Sequence, residues 1–532
     1  MAQLPQHPDI DHLKKQAKDL LREVNAGVPE ALARMRLSLP AAAGKDDGRI
    51  MAMGLRLHDA QSCVAREYGF RSWQTLSNLV ALGIDRMFDS PSRGLPGWLV
   101  LVYGRHGDRA NPALAARLLD EHPDLRTGGW ALACATGDER AIRKAIAAEP
   151  TSVNEASAKY VCPCCNRPQA MPPLAAVTYS SLLQIAEFRD ALRRSARLLL
   201  DAGADVNQSI ASEFGPLSAL YGAAGKNHDV QLTRMLLEAG ANPNDGESLY
   251  HSVESADASC TTLLLEAGAS VEGSNVLHHE LDYTRIDRFR QLLARTRDAN
   301  DVTSSLGPPL LWAIRRRRSL EHVEALLGAG ADPKVRNPEG TSAYVLAMRY
   351  GLADVSSALR SAGADDELST SDQFVAACAR SDDSEARRML REHPRMIEEL
   401  TPSQLRLLPE MASARKTDAV RLMVTLGWPI AVRGGDWDAS ALNLAVFQGD
   451  ADMTRFLLER GASWQEKHGH NSDVRGTLSW ASRNHNPAHG DWAGCARALI
   501  DHGLPVTDLD GSYSEEVAAV LAAERARVKQ QE

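Results

Sequence analysis

The sequence predicts an all-α solenoid of about twelve helix-turn-helix units, with a helical cap at each end. Three observations predict it. One short phrase recurs along the middle of the chain, a glycine holds the same place in its clearest copies, and both ends fall outside the period. Residues 198–207 read LLLDAGADVN, 235–244 read MLLEAGANPN, 263–272 read LLLEAGASVE and 326–334 read LLGAGADPK, with further copies at 358–366 and 456–464. Gly330 and Gly363 are 33 residues apart, Gly203 and Gly240 are 37, and Gly240 and Gly268 are 28. A degenerate copy, LLARTRDAN at 292–300, divides the widest gap, and segments around His122, Glu149, His393 and Gly427 extend the period both ways.

Each unit reads as a short helix, a tight turn, a longer helix ending in apolar residues, then Ala-Gly-Ala and a polar excursion. The glycine after the last turn supplies a left-handed cap. One such pair cannot bury its own apolar face, so neighbours stack and share a core. Residues 1–90 lie outside the period, but 12–24, 29–37 and 57–68 have helical spacing, the last closed by Gly69. They are expected to form an N-terminal cap. The array is expected over 91–506, with insertions near 155–172 and 465–492, and a C-terminal capping helix in 507–532.

The repeats resemble the ankyrin family. There the first helix opens with a TPLHLAA-like phrase, matched here by Ala219-Leu220-Tyr221, Leu249-Tyr250-His251, Val276-Leu277-His278, Pro309-Leu310-Leu311 and Ala343-Tyr344-Val345. The N-terminal stretch HLKKQAKDLLR, followed later by LHDAQSCVAREYGFRSW, is similar to the leader of a group of bacterial ankyrin-repeat proteins. What the resemblance implies is a fold and a mode of use: ankyrin arrays most often bind proteins on a concave face.

Composition narrows the function further. Hydrophobic residues at 44% and charged residues at 24% are those of a packed chain, and 11 Lys against 49 Arg in an Ala- and Leu-rich background suggests a GC-rich bacterial source. A net charge of −9 argues against nucleic acid or anionic membrane as the main partner. No apolar run approaches the roughly 20 residues a membrane helix needs. Eight cysteines, five of them isolated, fit a reducing cytoplasm better than a disulfide framework.

Aligning the first helices gives two columns that share one helical face. The fifth place of the phrase holds Gly222, His251, His279, Trp312, Leu346, Leu444 and Trp480, and the eighth holds Gly225, Glu254, Asp282, Arg315, Arg349, Phe447 and Arg483. The resemblance places the eighth on the concave surface. Trp312 and Trp480 are therefore candidates to stack on a planar group, and Arg315, Arg349 and Arg483 to grip a carboxylate or phosphate. Tyr250 or His278 would add hydrogen bonds, and His251 and His279 are further candidates for ligand contact. Glu254 and Asp282, about 10 Å apart in adjacent units, have the spacing to share general acid and base duties. No nucleophile elbow, P-loop or dinucleotide fingerprint accompanies them. The run 315–318 of four arginines is expected to cap its helix and pair with acids such as Glu254 and Asp282.

Two segments suggest metal. Cys162 and Cys165, with Cys164 between them, have the C-x-x-C spacing of half a zinc knuckle, but a second ligand pair is missing. An exposed insertion is the competing reading. His468, His470, His485 and His489 fall in the second insertion, where irregular spacing favours a solvated loop over a metal site. Apart from zinc at the cysteines, no cofactor is expected. The expected function is non-catalytic recognition of a protein partner in the cytoplasm, through the concave groove. The alternative is a small-molecule binder or enzyme, acting on a sugar or phosphorylated metabolite with the acids, arginines and tryptophans of that groove.

Overall fold

The computed structural model describes residues 10–529 except 69, most of 71–90, 105–109, most of 123–128, 157, 162–167, 213–214, 302–305, 485–489 and 507–512. The chain packs as two compact units, Met1–Pro309 and Leu310–Glu532. In unit 1 the first and second helices pair as Pro91–Tyr103 with Pro112–Glu121, Gly129–Thr136 with Glu139–Ala148, Pro173–Tyr179 with Ala186–Asp201, Ala219–Tyr221 with Val230–Glu238, Ser248–Ser252 with Ser259–Glu266, and Val276–Glu280 with Ile286–Leu293. In unit 2 they pair as Pro309–Arg315 with Leu320–Gly328, Ala343–Arg349 with Ala353–Ser361, Thr370–Ala379 with Asp383–Glu392, Leu407–Ser413 with Thr417–Thr425, Ala441–Phe447 with Ala451–Glu459, and Val474–Asn484 with Trp492–Asp501.

Short polar side chains start these helices. Ser218, Ser342 and Ser440 open first helices by accepting the amides of Tyr221, Val345 and Asn443, while Asp138, Asp229, Asp382, Asp450 and Asp491 open second helices in the same way. The glycine of the recurring phrase ends the second helix, with φ of +92° at Gly240 and +91° at Gly330, where any side chain would be strained. Leucines and alanines between these signals are buried from both sides. A repeated buried contact ties neighbouring second helices: Thr233 Oγ1 lies 3.6 Å from Cys260 Sγ, and Thr454 Oγ1 lies 3.5 Å from Cys495 Sγ.

The polar excursions carry short antiparallel ribbons that leave the architecture all-α. Ser209–Ser212 pairs with Gly215–Ser218, and Arg433–Gly434 with Ala439–Ser440. The asparagines of the phrase staple successive excursions in unit 1. Asn154 Oδ1 accepts the Asp205 amide at 2.7 Å, Asn207 Oδ1 accepts that of Asn242 at 2.9 Å, and Asn244 Oδ1 accepts that of Ser270 at 2.7 Å. In unit 2 ion pairs replace them, Lys334 with Asp365 at 2.7 Å and Arg336 with Asp366.

One expectation is corrected. The stretch near 465–492 is not a plain loop, because Val474–Asn484 within it is the first helix of a repeat, with Asp473 Oδ1 accepting the Gly476 amide at 2.9 Å at its start. The insertion near 155–172 contains a ribbon, Ala158–Val161 against Pro168–Met171. Its tip, with Cys162, Cys164 and Cys165, lies outside the described residues, as do His485 and His489.

At the N-terminus, helices Ile10–Asn25, Pro29–Ser38 and Leu57–Glu67 pack together around Leu13, Ala17, Leu20, Met35 and Val64. At the other end, helix Glu515–Lys529 sets Val517 and Leu521 against the last repeat. Cys63, Cys134, Cys260, Cys378 and Cys495 are free and buried. No described helix is long and apolar enough to cross a membrane.

Candidate functional site

The short first helices of unit 1 bring one continuous row of ionisable and aromatic side chains together. His251 stands at its centre, with Nε2 3.1 Å from Glu247 and Nδ1 2.7 Å from Glu254. One repeat on, His279 lies between two carboxylates, Nε2 3.5 Å from Glu254 and Nδ1 3.4 Å from Asp282. The sequence columns therefore do converge, as an alternating chain of acids and imidazoles.

Rings back this chain. Tyr250 stacks face to face on His279, Tyr221 meets His251 edge-on at 5.1 Å, and Tyr179 meets Tyr221 at 5.8 Å. Tyr283 closes the far end with its ring 5.6 Å from His279 and the Arg285 guanidinium 3.9 Å above it. The rings can come this close because two places in the columns have no side chain. A Cβ on Gly222 would lie 2.6 Å from the Tyr179 ring, and one on Gly225 would lie 2.6 Å from the Tyr221 ring and 2.9 Å from His251 Cβ. These glycines fall in a π-helical turn, Gly222–Lys226, of the kind often found at functional sites. Lys226 ends it, donating to the Tyr103 carbonyl at 2.8 Å with Nζ 5.3 Å from the Tyr179 ring. Burial lowers its pKa to about 8.

The electrostatics of the row set its chemistry. Hydrogen bonds from His251 and His279 hold the Glu254 carboxyl down at about 2. Burial works against the charge on His279, but the hydrogen bonds of Asp282 and Glu254 outweigh it and lift the imidazole to about 9. Near neutral pH Glu254 has no proton to give and His279 has no free electron pair to take one. The expected division of acid and base duties between Glu254 and Asp282 is not the arrangement found, since both carboxylates are spent on one imidazolium.

A neighbouring buried cluster is structural. Glu280, fully buried, accepts from Arg285 Nε and Nη2, each at 3.0 Å, and Arg285 and Arg288 reach on to the carbonyls of Val253, Ser255 and Ala256. His278 is buried too, with Nε2 2.7 Å from the Gly307 carbonyl.

No known protein family and no curated protein matches the chain. Similar solved structures include the human ASB11 ankyrin repeat domain, 19% identical over 43% of this chain and 98% of that one, with a TM-score of 0.21. Another is the ankyrin repeat domain of Bcl-3, described as a unique member of the IkappaB protein family, 19% identical over 46% of this chain and 97% of that one, also with a TM-score of 0.21. The deciding observation is the repeat itself: a serine-capped short helix, an aspartate-capped second helix, a left-handed glycine and a ribboned excursion. The architecture is that of an ankyrin-type array of helix pairs.

Elsewhere in the array the candidate residues are otherwise engaged. Trp312 is only 5% exposed, and the Arg316 guanidinium lies 4.3 Å above its ring, so it is core rather than a stacking platform. Arg315 and Arg316 donate to the two oxygens of Asp436 at 3.0 and 2.5 Å, not to Glu254 or Asp282, and Arg317 reaches the Glu410 carbonyl at 3.1 Å. Arg349 is half-buried against Asp372 at 2.6 Å. Trp480 keeps the expected exposure, 50%, stacked on Phe447 at 5.7 Å, with Arg483, also exposed, a turn further on donating to the Ser479 carbonyl. Trp437 and His468 extend that row, with Trp437 5.1 Å from Phe447 and 4.9 Å from His468. Among the described residues no group of histidines, cysteines and acids is placed to hold a metal ion.

Sequence reasoning missed Tyr179, Tyr221, Tyr283, Glu247, Lys226, Trp437 and Asp436. The paired glycines at 222 and 225 were the available signal for the first two, since an empty place in a column is where neighbouring rings can close in.

Proposed function

We propose that this ankyrin-repeat array is a non-catalytic recognition module, and that the first-helix face of unit 1 holds a cationic segment of a cytoplasmic protein partner. The observation that carries the reading is the saturated row from Glu247 to Asp282. Three carboxylates and two imidazoles alternate along it, backed by stacked rings, so the surface is ordered, partly exposed and rich in acid. Tyrosine rings beside carboxylates suit an arginine side chain, as Arg285 over Tyr283 illustrates within the same chain. Locked protons favour binding over hydrolysis.

The test is fluorescence anisotropy with two labelled peptides of equal length, one with arginine and one with glutamate at alternate positions. The arginine peptide is expected to bind the full chain, more weakly at higher salt, and to lose about tenfold in affinity with Glu254→Gln/Asp282→Asn. Equal binding of the two peptides, or unchanged binding by the double variant, would overturn the reading.

The exposed Trp480 ring on Phe447 favours a second face, in unit 2. With Arg483 on the same helix, it suits a segment that carries aromatic and acidic groups.

A further inference from the structure

One contact in unit 2 is not between neighbours. In a solenoid each repeat touches the next, yet Arg315 and Arg316, where helix Pro309–Arg315 ends, donate to the two oxygens of Asp436 at 3.0 and 2.5 Å, and Arg317 reaches Glu410 with two repeats skipped between them. Asp436 sits at the tip of the ribbon Arg433–Gly434 with Ala439–Ser440, where Gly435 turns the chain with φ of +75°. The ribbon lies close on the helices beneath it. A Cβ on Gly434 would come within 3.1 Å of Pro409 and 3.3 Å of Arg406, which is itself exposed. Guanidiniums outnumber carboxylates here, since Arg315, Arg316, Arg317 and Arg406 stand against Asp436 and Glu410. The side chains of Arg315, Arg316 and Asp436 are 37, 28 and 46% exposed, so solvent and solutes reach the pair. Such an ion pair adds little to stability, and the repeats are held by their buried apolar faces.

The residue beside Asp436 gives the contact its meaning. Trp437 packs 5.1 Å from Phe447, and Phe447 stacks on the half-exposed Trp480, so the aromatic row of unit 2 runs without a break into the tip whose acid the two arginines hold. Arg483, one turn beyond Trp480, puts an exposed guanidinium at the other end. The tip is thus an acid next to an aromatic ring, lying on arginines and on an aromatic platform. It has the chemistry of a bound segment. A carboxylate held by two guanidiniums can be replaced in the same place by another carboxylate. Resting on the aromatic face proposed above for unit 2, we infer that Arg315 and Arg316 form the anion subsite for a protein segment carrying an acidic residue beside an aromatic one, and that Asp436 fills this subsite until such a segment displaces it.

The probe is a fluorescein-labelled peptide with a central tryptophan flanked by aspartates, titrated with the full chain by anisotropy beside the same peptide with asparagine for aspartate. The aspartate peptide is expected to bind more tightly, and less so as salt rises. Asp436→Asn, which empties the subsite, is expected to tighten binding about fivefold. Asp438→Asn removes the same charge from the same tip but frees Arg433 instead, and should change affinity by less than about twofold. Arg315→Gln/Arg316→Gln should weaken binding at least about tenfold and abolish the gain from Asp436→Asn. These side chains are all partly exposed, so each variant should melt at the wild-type temperature. Unchanged or weaker binding by Asp436→Asn, or an equal gain from Asp438→Asn, would overturn the guarded subsite, while weaker binding by Trp480→Ala in the same titration would leave the aromatic face standing. Weaker binding by the arginine variant with none lost in Trp480→Ala would count against the aromatic face alone. No binding of the aspartate peptide to Asp436→Asn would overturn both.

Discussion

Tyr250 and His279, from adjacent repeats, lie face to face with ring centroids 4.2 Å apart and planes within 8° of parallel. The imidazole in this stack carries a proton that two carboxylates stabilise, so the contact is a cation over a phenol ring as well as a packing contact. It joins the repeats through both charge and shape.

The stack has a pH signature. His279 titrates near 9 in the folded chain, above its ordinary 6.5, so its contribution to stability is complete below about 6.5 and is lost as pH rises through about 9. Glu254 behaves oppositely. It titrates near 2, below its ordinary 4.5, so its contribution is present above about 4.5 and is lost as pH falls through about 2. The difference in melting temperature between wild type and His279→Gln should be largest between about 4.5 and 6.5 and shrink towards pH 9. A difference independent of pH would contradict the pairing, and the imidazole proton shifts in NMR would locate the titration directly.

Glu280→Ala should be among the most damaging single changes in unit 1. It would leave Arg285 and Arg288 with uncompensated charge in a buried place, at a cost of about 3–5 kcal/mol in a denaturant melt. A loss below about 1 kcal/mol would show that water reaches the cluster.

Two glycine-to-alanine changes should have opposite signs. Gly225→Ala pushes a methyl group into the Tyr221 ring and His251 and should destabilise by about 1–3 kcal/mol. Gly328→Ala meets nothing within 4 Å and has no positive φ, so the better helix propensity of alanine should stabilise by about 0.5–1 kcal/mol. Parallel urea titrations decide both.

The two expected stacking tryptophans should separate cleanly. Trp312→Ala removes a buried ring and should cost about 3–5 kcal/mol, whereas Trp480→Ala removes a half-exposed one and should cost about 1 kcal/mol or less. If unit 2 binds through its aromatic row, Trp480→Ala should still abolish capture of an aromatic, acidic peptide, as read by anisotropy.

The fold was legible because its signals are local. The glycine after second helices such as those ending at Glu238 and Gly328, the serine or aspartate before many of the helices, and leucines at helical spacing are decided within a few residues, and the structure honours them in the clearest repeats. The row in unit 1 was half legible: His251, Glu254, His279 and Asp282 fall in register from the repeat alone. Their protonation was not, because it depends on which carboxylate meets which imidazole across two repeats. Arg315 shows the limit. Its helical position was correctly placed, but its partner Asp436 is 121 residues away, on an excursion whose path no periodicity specifies.

The five buried thiols amount to a set of clocks. Burial pushes Cys63 and Cys495 up to about 12 and Cys260 to about 11, so an alkylating reagent can reach them only when the surrounding helices part. Because Cys63, Cys134 and Cys260 lie in unit 1 and Cys378 and Cys495 in unit 2, labelling rates read residue by residue would time the breathing of each half separately, with no probe added to the chain.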